Sequence, residues 1–120
     1  MGHKLTLSML LVFCAGMASA EFAKVSDEAE FKAIVDGKTL TRPMVNLQVS
    51  SAGEITGKGL VWPVNGSWTW QNGYFCRDLN WGGDNLGYNC QEVRVKEGRI
   101  RFTSDQGRGP YADFQLKSRR

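Results

Sequence analysis

The residue types that carry most nucleophilic and metal chemistry are nearly absent from this sequence. His3 is the only histidine, and it lies within an amino-terminal segment that is predicted below to be removed. Beyond that segment Cys76 and Cys90 are the only cysteines, and an even pair favours a disulfide. With both sulfurs bonded, Ser–His, Cys–His and His-based metal sites are excluded. We therefore expect no enzymatic activity and no cofactor, because any catalysis would depend on carboxylates alone.

A weak calcium-binding pattern runs from Asp78 to Asp84. Asp78, Asn80 and Asp84 place oxygen ligands at positions 1, 3 and 7 of an EF-hand-like loop, with Gly83 at position 6. Position 12 is Asn89, where a bidentate Glu is required, and no predicted helix flanks the segment. Since only two carboxylates are present, we expect no metal here. The segment instead predicts a solvent-exposed loop rich in Gly and Asn, held at its two ends by the disulfide.

An aromatic hairpin is the clearest local feature of the chain. Three of the four Trp residues and both remaining cysteines lie between Gly66 and Gln91. Asn72-Gly73 separates two alternating aromatic runs, and this dipeptide favours a two-residue type I′ turn. That turn fixes the register, so that Trp68 pairs with Arg77. Because side chains alternate along a strand, one face carries a mostly aromatic set: Trp68, Trp70, Phe75, Arg77 and Leu79.

The Trp-bearing face of the hairpin is expected to point inward, with the Arg77 stem against Trp68 in a cation–π contact. It either fills a core or lines a ligand pocket. Cys76 and Cys90 lie on the opposite face, so their disulfide is expected to join neighbouring strands from the outside. Large groups in this region are the candidate contacts for a ligand or partner: Trp62, Trp68, Trp70, Arg77, Trp81 and Tyr88.

Residues 1–20 have the pattern of a secretory signal peptide. Lys4 precedes a mostly apolar stretch too short to span a bilayer, and Ala18-Ser19-Ala20 is a small-residue cleavage site. Removing 20 of the 120 residues leaves one domain, 21–120, with 14 basic and 12 acidic residues. We expect a periplasmic or secreted monomer with no membrane span. Its basic residues are scattered, apart from a group near one hairpin that falls on a solvated face: Arg94, Lys96, Arg99 and Arg101. We therefore expect no nucleic-acid partner.

The remaining pattern predicts a mainly β protein with one helix. The helix runs from Ser26 to Val35, with Ser26 or Asp27 as its cap and Gly37 at its end. After Gly37 the alternation of apolar and polar residues predicts seven or eight short strands. One of them is 55–64, in which Gly57 and Gly59 suggest a bend or a close approach of a neighbouring strand. This spacing is typical of a small antiparallel β-barrel or half-barrel. The helix is expected to pack against the sheet or to plug one end of the barrel.

Several segments resemble a family of small exported bacterial proteins. They are the signal peptide, the short helix, and the motifs Gly66-Ser67-Trp68, Tyr74-Phe75-Cys76-Arg77, Asn89-Cys90-Gln91 and Gly109 to Leu116. The resemblance covers the mature chain and implies a compact exported β domain, with no catalytic residues to transfer. Members are often labelled dihydrodipicolinate reductase. In this sequence, however, the one match to a dinucleotide pattern, residues 107–112, precedes a predicted strand, whereas nucleotide binding requires a helix there.

Three functional hypotheses follow, from different classes. The first is an exported, non-catalytic binding module whose barrel mouth or Cys76–Cys90 loop contacts a small ligand or a periplasmic protein. The alternative is an inhibitor that inserts a rigid loop into a secreted hydrolase. The reductase activity suggested by the family label is the least favoured, because the sequence contains no nucleotide-binding unit.

Overall fold

The computed structural model describes residues 21–119, so the predicted signal peptide with its cleavage site at Ala20 lies outside the described residues. Two helices and nine strands make up this part of the chain. In chain order they are β1 (Ala23–Lys24), α1 (Glu28–Val35), β2 (Lys38–Arg42), β3 (Val45–Val49), β4 (Glu54–Gly59), β5 (Trp62–Gln71), β6 (Tyr74–Trp81), β7 (Asp84–Lys96), β8 (Arg99–Thr103), α2 (Ser104–Gly107) and β9 (Tyr111–Ser118).

Eight of the strands, β2 to β9, form a closed antiparallel barrel. Each strand pairs with the next along the chain, and β9 closes the ring by pairing with β2, with Leu116 opposite Leu40. The short β1 pairs with the end of β7. Closure leaves the ring of eight strands without an unpaired edge. The expected fold class is confirmed, in its barrel form and not as a half-barrel.

Between residues 21 and 119 the structure contains no helix that is both long enough and apolar enough to cross a membrane.

Helix α1 is capped as the sequence predicts, with Asp27 as the cap. The Asp27 carboxylate accepts a hydrogen bond of 2.8 Å from the Glu30 backbone N–H. The Glu30 carboxylate in turn accepts one of 3.3 Å from the N–H of Ser26, the residue before the cap. Gly37 follows the carboxyl end with φ +68°, a conformation that glycine adopts without steric cost.

Phe31 of α1 plugs one end of the barrel. Its side chain is fully buried, and its ring centroid lies 5.2 Å from Trp68, 5.2 Å from Trp70 and 5.1 Å from Phe75. Trp68 itself is only 5% exposed. The inward orientation of the Trp-bearing face is therefore confirmed, and at this end of the barrel the aromatics fill a core.

The hairpin turn and its register agree with the sequence prediction. Asn72 and Gly73 have φ of 53° and 86°, as a type I′ turn requires, and Trp68 lies opposite Arg77. The expected cation–π contact is not formed: none of those found among residues 21–119 joins Arg77 to Trp68. The guanidinium instead reaches along the hairpin, where Nη1 donates a hydrogen bond of 2.7 Å to the Gly87 carbonyl.

The disulfide joins Cys76 of β6 to Cys90 of β7, which lie directly opposite each other in the register. Both cysteines alternate with inward residues such as Phe75 and Gln91, so the bridge lies on the outer side of the barrel wall, although Cys76 itself is only 1% exposed. Tyr88 occupies the same outer face, with its hydroxyl oxygen 3.5 Å from Cys90 Sγ.

Two predicted boundaries are wrong. Residues 55–64 do not form one strand, because a tight turn at Leu60 and Val61 separates β4 from β5. Leu60 has φ +59°, and its N–H donates a 2.7 Å hydrogen bond to the Met44 carbonyl of the neighbouring turn. Two apolar residues form this turn, so the Gly, Asn and Asp signals on which turn prediction depends are absent.

The second wrong boundary concerns the predicted exposed loop after Cys76. β6 continues to Trp81 and β7 begins at Asp84, so only Gly82 and Gly83 lie between the strands. Both glycines have positive φ, 58° and 95°, which suits a two-residue hairpin turn. The disulfide therefore links two paired strands instead of closing an irregular loop.

Two guanidinium–carboxylate pairs lie on the outer face formed by β7, β8 and β9. Arg101 binds both carboxylate oxygens of Asp113, at 2.7 and 2.9 Å, and Arg94 binds both of Glu92, at 2.9 and 3.2 Å. The hydrogen bonds from the arginines lower the pKa of the Asp113 and Glu92 carboxyls below their usual range. The expected polar, solvated face therefore carries two ion pairs, Arg94–Glu92 and Arg101–Asp113.

These pairs predict a loss of stability in acid. A carboxyl whose pKa is lower in the folded state stabilises it above the ordinary carboxyl pKa, and this contribution disappears as pH falls through the lowered pKa. The thermal unfolding midpoint should therefore decrease as the pH is lowered below about pH 4. Asp113→Asn should lower the midpoint at pH 7 and reduce its decline in acid, as thermal unfolding across pH would show. Glu54→Gln, at an exposed carboxylate of β4, is the control; an Asp113→Asn profile parallel to wild type would contradict the linkage.

Candidate functional site

Beyond the Phe31 plug the barrel interior contains a partly open cavity, the inner cavity, of about 170 Å³. Its wall is largely aliphatic and aromatic, with two polar side chains; the lining residues are Leu40, Leu47, Val49, Ile55, Phe75, Arg77, Leu79, Gln91, Phe102, Ala112 and Phe114. An apolar cavity of about 150 Å³ can hold a molecule the size of benzene. The barrel is therefore filled at one end only.

A second space, the mouth groove, lies beside the first toward the open end and measures about 290 Å³. Every side chain that lines it is apolar: Met44, Val45, Leu47, Leu60, Val64, Leu79, Trp81 and Leu86, with Gly59 completing the wall. Leu47 and Leu79 line both spaces. An apolar surface thus runs from the barrel mouth into its interior.

Trp81 forms one wall of the mouth groove because β4 carries a glycine beneath it. The indole N–H donates a hydrogen bond of 2.9 Å to the Gly59 carbonyl, and a Cβ at Gly59 would lie 2.9 Å from the same nitrogen. At Gly57, a Cβ would collide with the Asn46 carbonyl oxygen of β3. The two glycines thus allow the close approach that the sequence predicts for this strand.

Arg77 is the charged group of the inner cavity. Its side chain is half-buried, and within residues 21–119 no carboxylate lies within 4 Å of it to form an ion pair. Burial lowers the pKa of the guanidinium, and the charge of Asp78 only partly opposes that shift. One hydrogen bond, to the Gly87 carbonyl, is the only one that its side chain makes in the described part of the chain. The interior therefore holds a cation without a counter-ion from the described residues.

The other polar side chains at this level hold the connection between β8 and β9. Gln91, only 8% exposed, donates a hydrogen bond of 3.2 Å to the Ser104 hydroxyl. Asn89 exchanges two bonds with Asp105, donating one of 2.8 Å to the carboxylate and accepting one of 2.9 Å from the backbone N–H. They fix the connection at α2, where Asp105 and Gln106 have left-handed φ of 54° and 57°, so that α2 is a distorted single turn and not a regular right-handed helix. The side-chain amides of Gln91 and Asn89 are thus hydrogen-bonded to the β8–β9 connection, whereas Arg77 makes no bond to it.

The structure separates the six contact residues predicted from the sequence. Arg77 lines the inner cavity and Trp81 the mouth groove. Trp62 stands at the rim, 55% exposed and packed against Gly82. The other three lie elsewhere: Trp68 and Trp70 pack around Phe31 in the filled core, and Tyr88 is exposed on the outer face beside the disulfide.

The residues of the weak calcium pattern lie on paired strands. Asp78 is opposite Tyr88 and Asn80 is opposite Asn85, while Asp84 begins β7. The EF-hand-like loop is consequently not formed. Within the described range, 21–119, no group of three or more acidic, histidine or cysteine side chains could hold a metal ion.

Aliphatic residues of the mouth are the part of the site that sequence reasoning missed. Met44, Leu60 and Leu86 are each at least half exposed, although large apolar side chains at strand ends favour burial. That exposure becomes visible only when turns from different hairpins meet at one end of the barrel.

Comparison of the whole chain with protein-family models, curated proteins and solved structures finds no match.

Proposed function

We propose that this chain is an exported, non-catalytic binding protein that holds a small ligand with an apolar body in the barrel interior. The observation that carries the proposal is the inner cavity, which adjoins an apolar mouth groove through Leu47 and Leu79. Ligand sites are typically concave and mostly apolar, with a few polar groups that fix orientation. The two spaces and Arg77 supply this combination.

The contrast between the two ends of the barrel supports the proposal. At the helix end, α1 and four aromatic rings around Phe31 exclude solvent. At the mouth, Met44 is 72% exposed and the apolar groove faces outward. A protein stabilised only by its core gains nothing from such exposure, whereas a bound apolar molecule would cover it. The disulfide supports the export expectation, since such bonds persist in oxidising compartments.

Titration with 1-octanol, a neutral apolar probe, tests the proposal by calorimetry. Wild type should bind it saturably. Leu47→Trp places an indole in the wall shared by both spaces, so we expect its affinity to fall by at least about tenfold, or 1.4 kcal/mol. Overpacking of this kind typically costs about 1–3 kcal/mol of stability, so a urea titration must show that the variant is folded.

Gln48→Trp is the matched control, because Gln48 is the next residue of β3 and points outward into solvent. It should bind octanol as wild type does. Failure of wild type to bind octanol, or equal affinity in folded Leu47→Trp, would overturn the proposed function. Inhibition of a secreted hydrolase stays a prediction, and no contact of the β6–β7 hairpin favours it over ligand binding.

A further inference from the structure

We propose that the ligand of this barrel carries an anionic group of the carboxylate class next to its apolar body, and that Arg77 binds that group. The proposal rests on the proposed function, because it assigns the chemical class of the molecule that the same cavity holds. Its anchor is the juxtaposition of Arg77, which lines the inner cavity, with walls that are otherwise almost entirely apolar.

The geometry places Arg77, the proposed partner of the anionic group, beside the apolar surface that would hold the rest of the ligand. Arg77 and Leu79 are two residues apart on β6, so their side chains leave the same face of the strand. Leu79 lines both the inner cavity and the mouth groove, together with Leu47 across the barrel. A ligand whose head group meets Arg77 therefore lays its apolar part directly on Leu79 and Leu47.

Electrostatics favours an anionic head group over a neutral or cationic one. A guanidinium has five N–H donors in a planar fork. Among the described residues the Arg77 guanidinium donates one hydrogen bond, to the Gly87 carbonyl. Partial burial without a carboxylate partner disfavours the charged form, which is why its pKa is lowered. A carboxylate can accept two parallel hydrogen bonds from such a fork and neutralise the charge. A second cation in the same cavity would be repelled.

Three eight-carbon probes that differ only in head group test the assignment on the unmodified chain: octanoate, 1-octanol and octylammonium. At pH 7 and low salt we expect octanoate to bind about 10–100-fold more tightly than octanol, the range expected for a charge-assisted hydrogen bond. Octylammonium should bind more weakly than octanol. Calorimetry gives the three affinities without requiring any variant to fold.

Arg77→Met then isolates the guanidinium while keeping an unbranched side chain in the cavity wall. We expect octanoate affinity to fall by about 10–100-fold and octanol affinity to stay within about threefold. Arg99→Met is the matched control, since Arg99 is exposed on the outer face of β8, and it should bind both probes as wild type does.

The outcomes separate this inference from the proposed function. Equal binding of octanoate and octanol to wild type would overturn the anionic assignment and leave the binding function standing. Binding of none of the three probes would overturn both. Selectivity for octanoate that persists in folded Arg77→Met would contradict the role of Arg77, whereas its loss in that variant alone supports the assignment.

Discussion

Replacement of Phe31 by alanine is expected to lower the free energy of unfolding by about 3–5 kcal/mol, the usual cost of truncating a buried Phe. The side chain is fully buried and contacts the rings of Trp68, Trp70, Phe75 and Phe102 at centroid distances of 5.2, 5.2, 5.1 and 6.4 Å. Its removal leaves a cavity among rigid rings that cannot collapse to fill it. Such a loss is a large part of the about 5–15 kcal/mol typical of a domain.

Lys32→Ala is the control for this change, since Lys32 lies in the same helix as Phe31 and is likewise replaced by alanine. Lys32 makes an exposed i,i+4 pair with Glu28 at 3.1 Å, so its loss should cost about 0.5 kcal/mol or less. Urea unfolding followed by Trp fluorescence gives both values. Equal effects of Phe31→Ala and Lys32→Ala would show that α1 does not plug the barrel.

Removal of the disulfide is the second large effect. Replacing both Cys76 and Cys90 with alanine should cost about 3 kcal/mol, because the bridge closes a loop with a sequence separation of 14 in the unfolded chain. The two strands remain paired in the folded state through their hydrogen-bond register, so the fold should survive. The loss should therefore appear in the urea midpoint and leave the far-ultraviolet circular dichroism of the native protein unchanged.

Reduction of the wild-type protein is the matched control for the double substitution, because it breaks the same bond without changing a side chain. Both treatments should shift the midpoint by a similar amount. A double variant as stable as the oxidised wild type would contradict a structural role for the bridge. The test also bears on compartment, since a stabilising disulfide requires an oxidising environment.

Local features of the fold were predictable because neighbouring residues determine them. Asn72-Gly73 adopts the two positive φ values of a type I′ turn, and the turn then fixes every pairing in the hairpin. Asp27 caps α1 through the residue three positions later, a contact that sequence spacing alone reveals. The position of the disulfide on the outer side of the barrel wall followed from the alternation of side chains along a strand.

The turn at Leu60 and Val61 and the closure of β9 on β2 depend on distant parts of the chain. The Leu60 turn is held by a bond to the Met44 carbonyl, which belongs to another hairpin. Barrel closure brings Leu40 and Leu116 together across most of the sequence. No short pattern encodes either contact, so alternation predicted strands without distinguishing a barrel from a half-barrel.

The cavity could not be predicted, because it is the volume left between side chains from many strands. The sequence allowed Trp68 and Trp70 either to fill a core or to line a pocket, and packing against Phe31 places Trp68 in the core with Trp70 partly buried against it. Arg77 was expected to lie against Trp68. Its reach toward Gly87 instead places the charge beside the cavity, and that contact depends on the register of β6 with β7.

The most direct test of the central claim is a titration of 1-octanol followed through the methyl resonances of the protein by NMR. Saturable shifts should appear at Leu47, Leu79 and Val64, which line the two spaces, while the methyls of Val35, in the filled core, stay in place. Shifts confined to methyls outside the two spaces, or the absence of any saturable shift, would contradict the account of the barrel as a ligand-binding cavity.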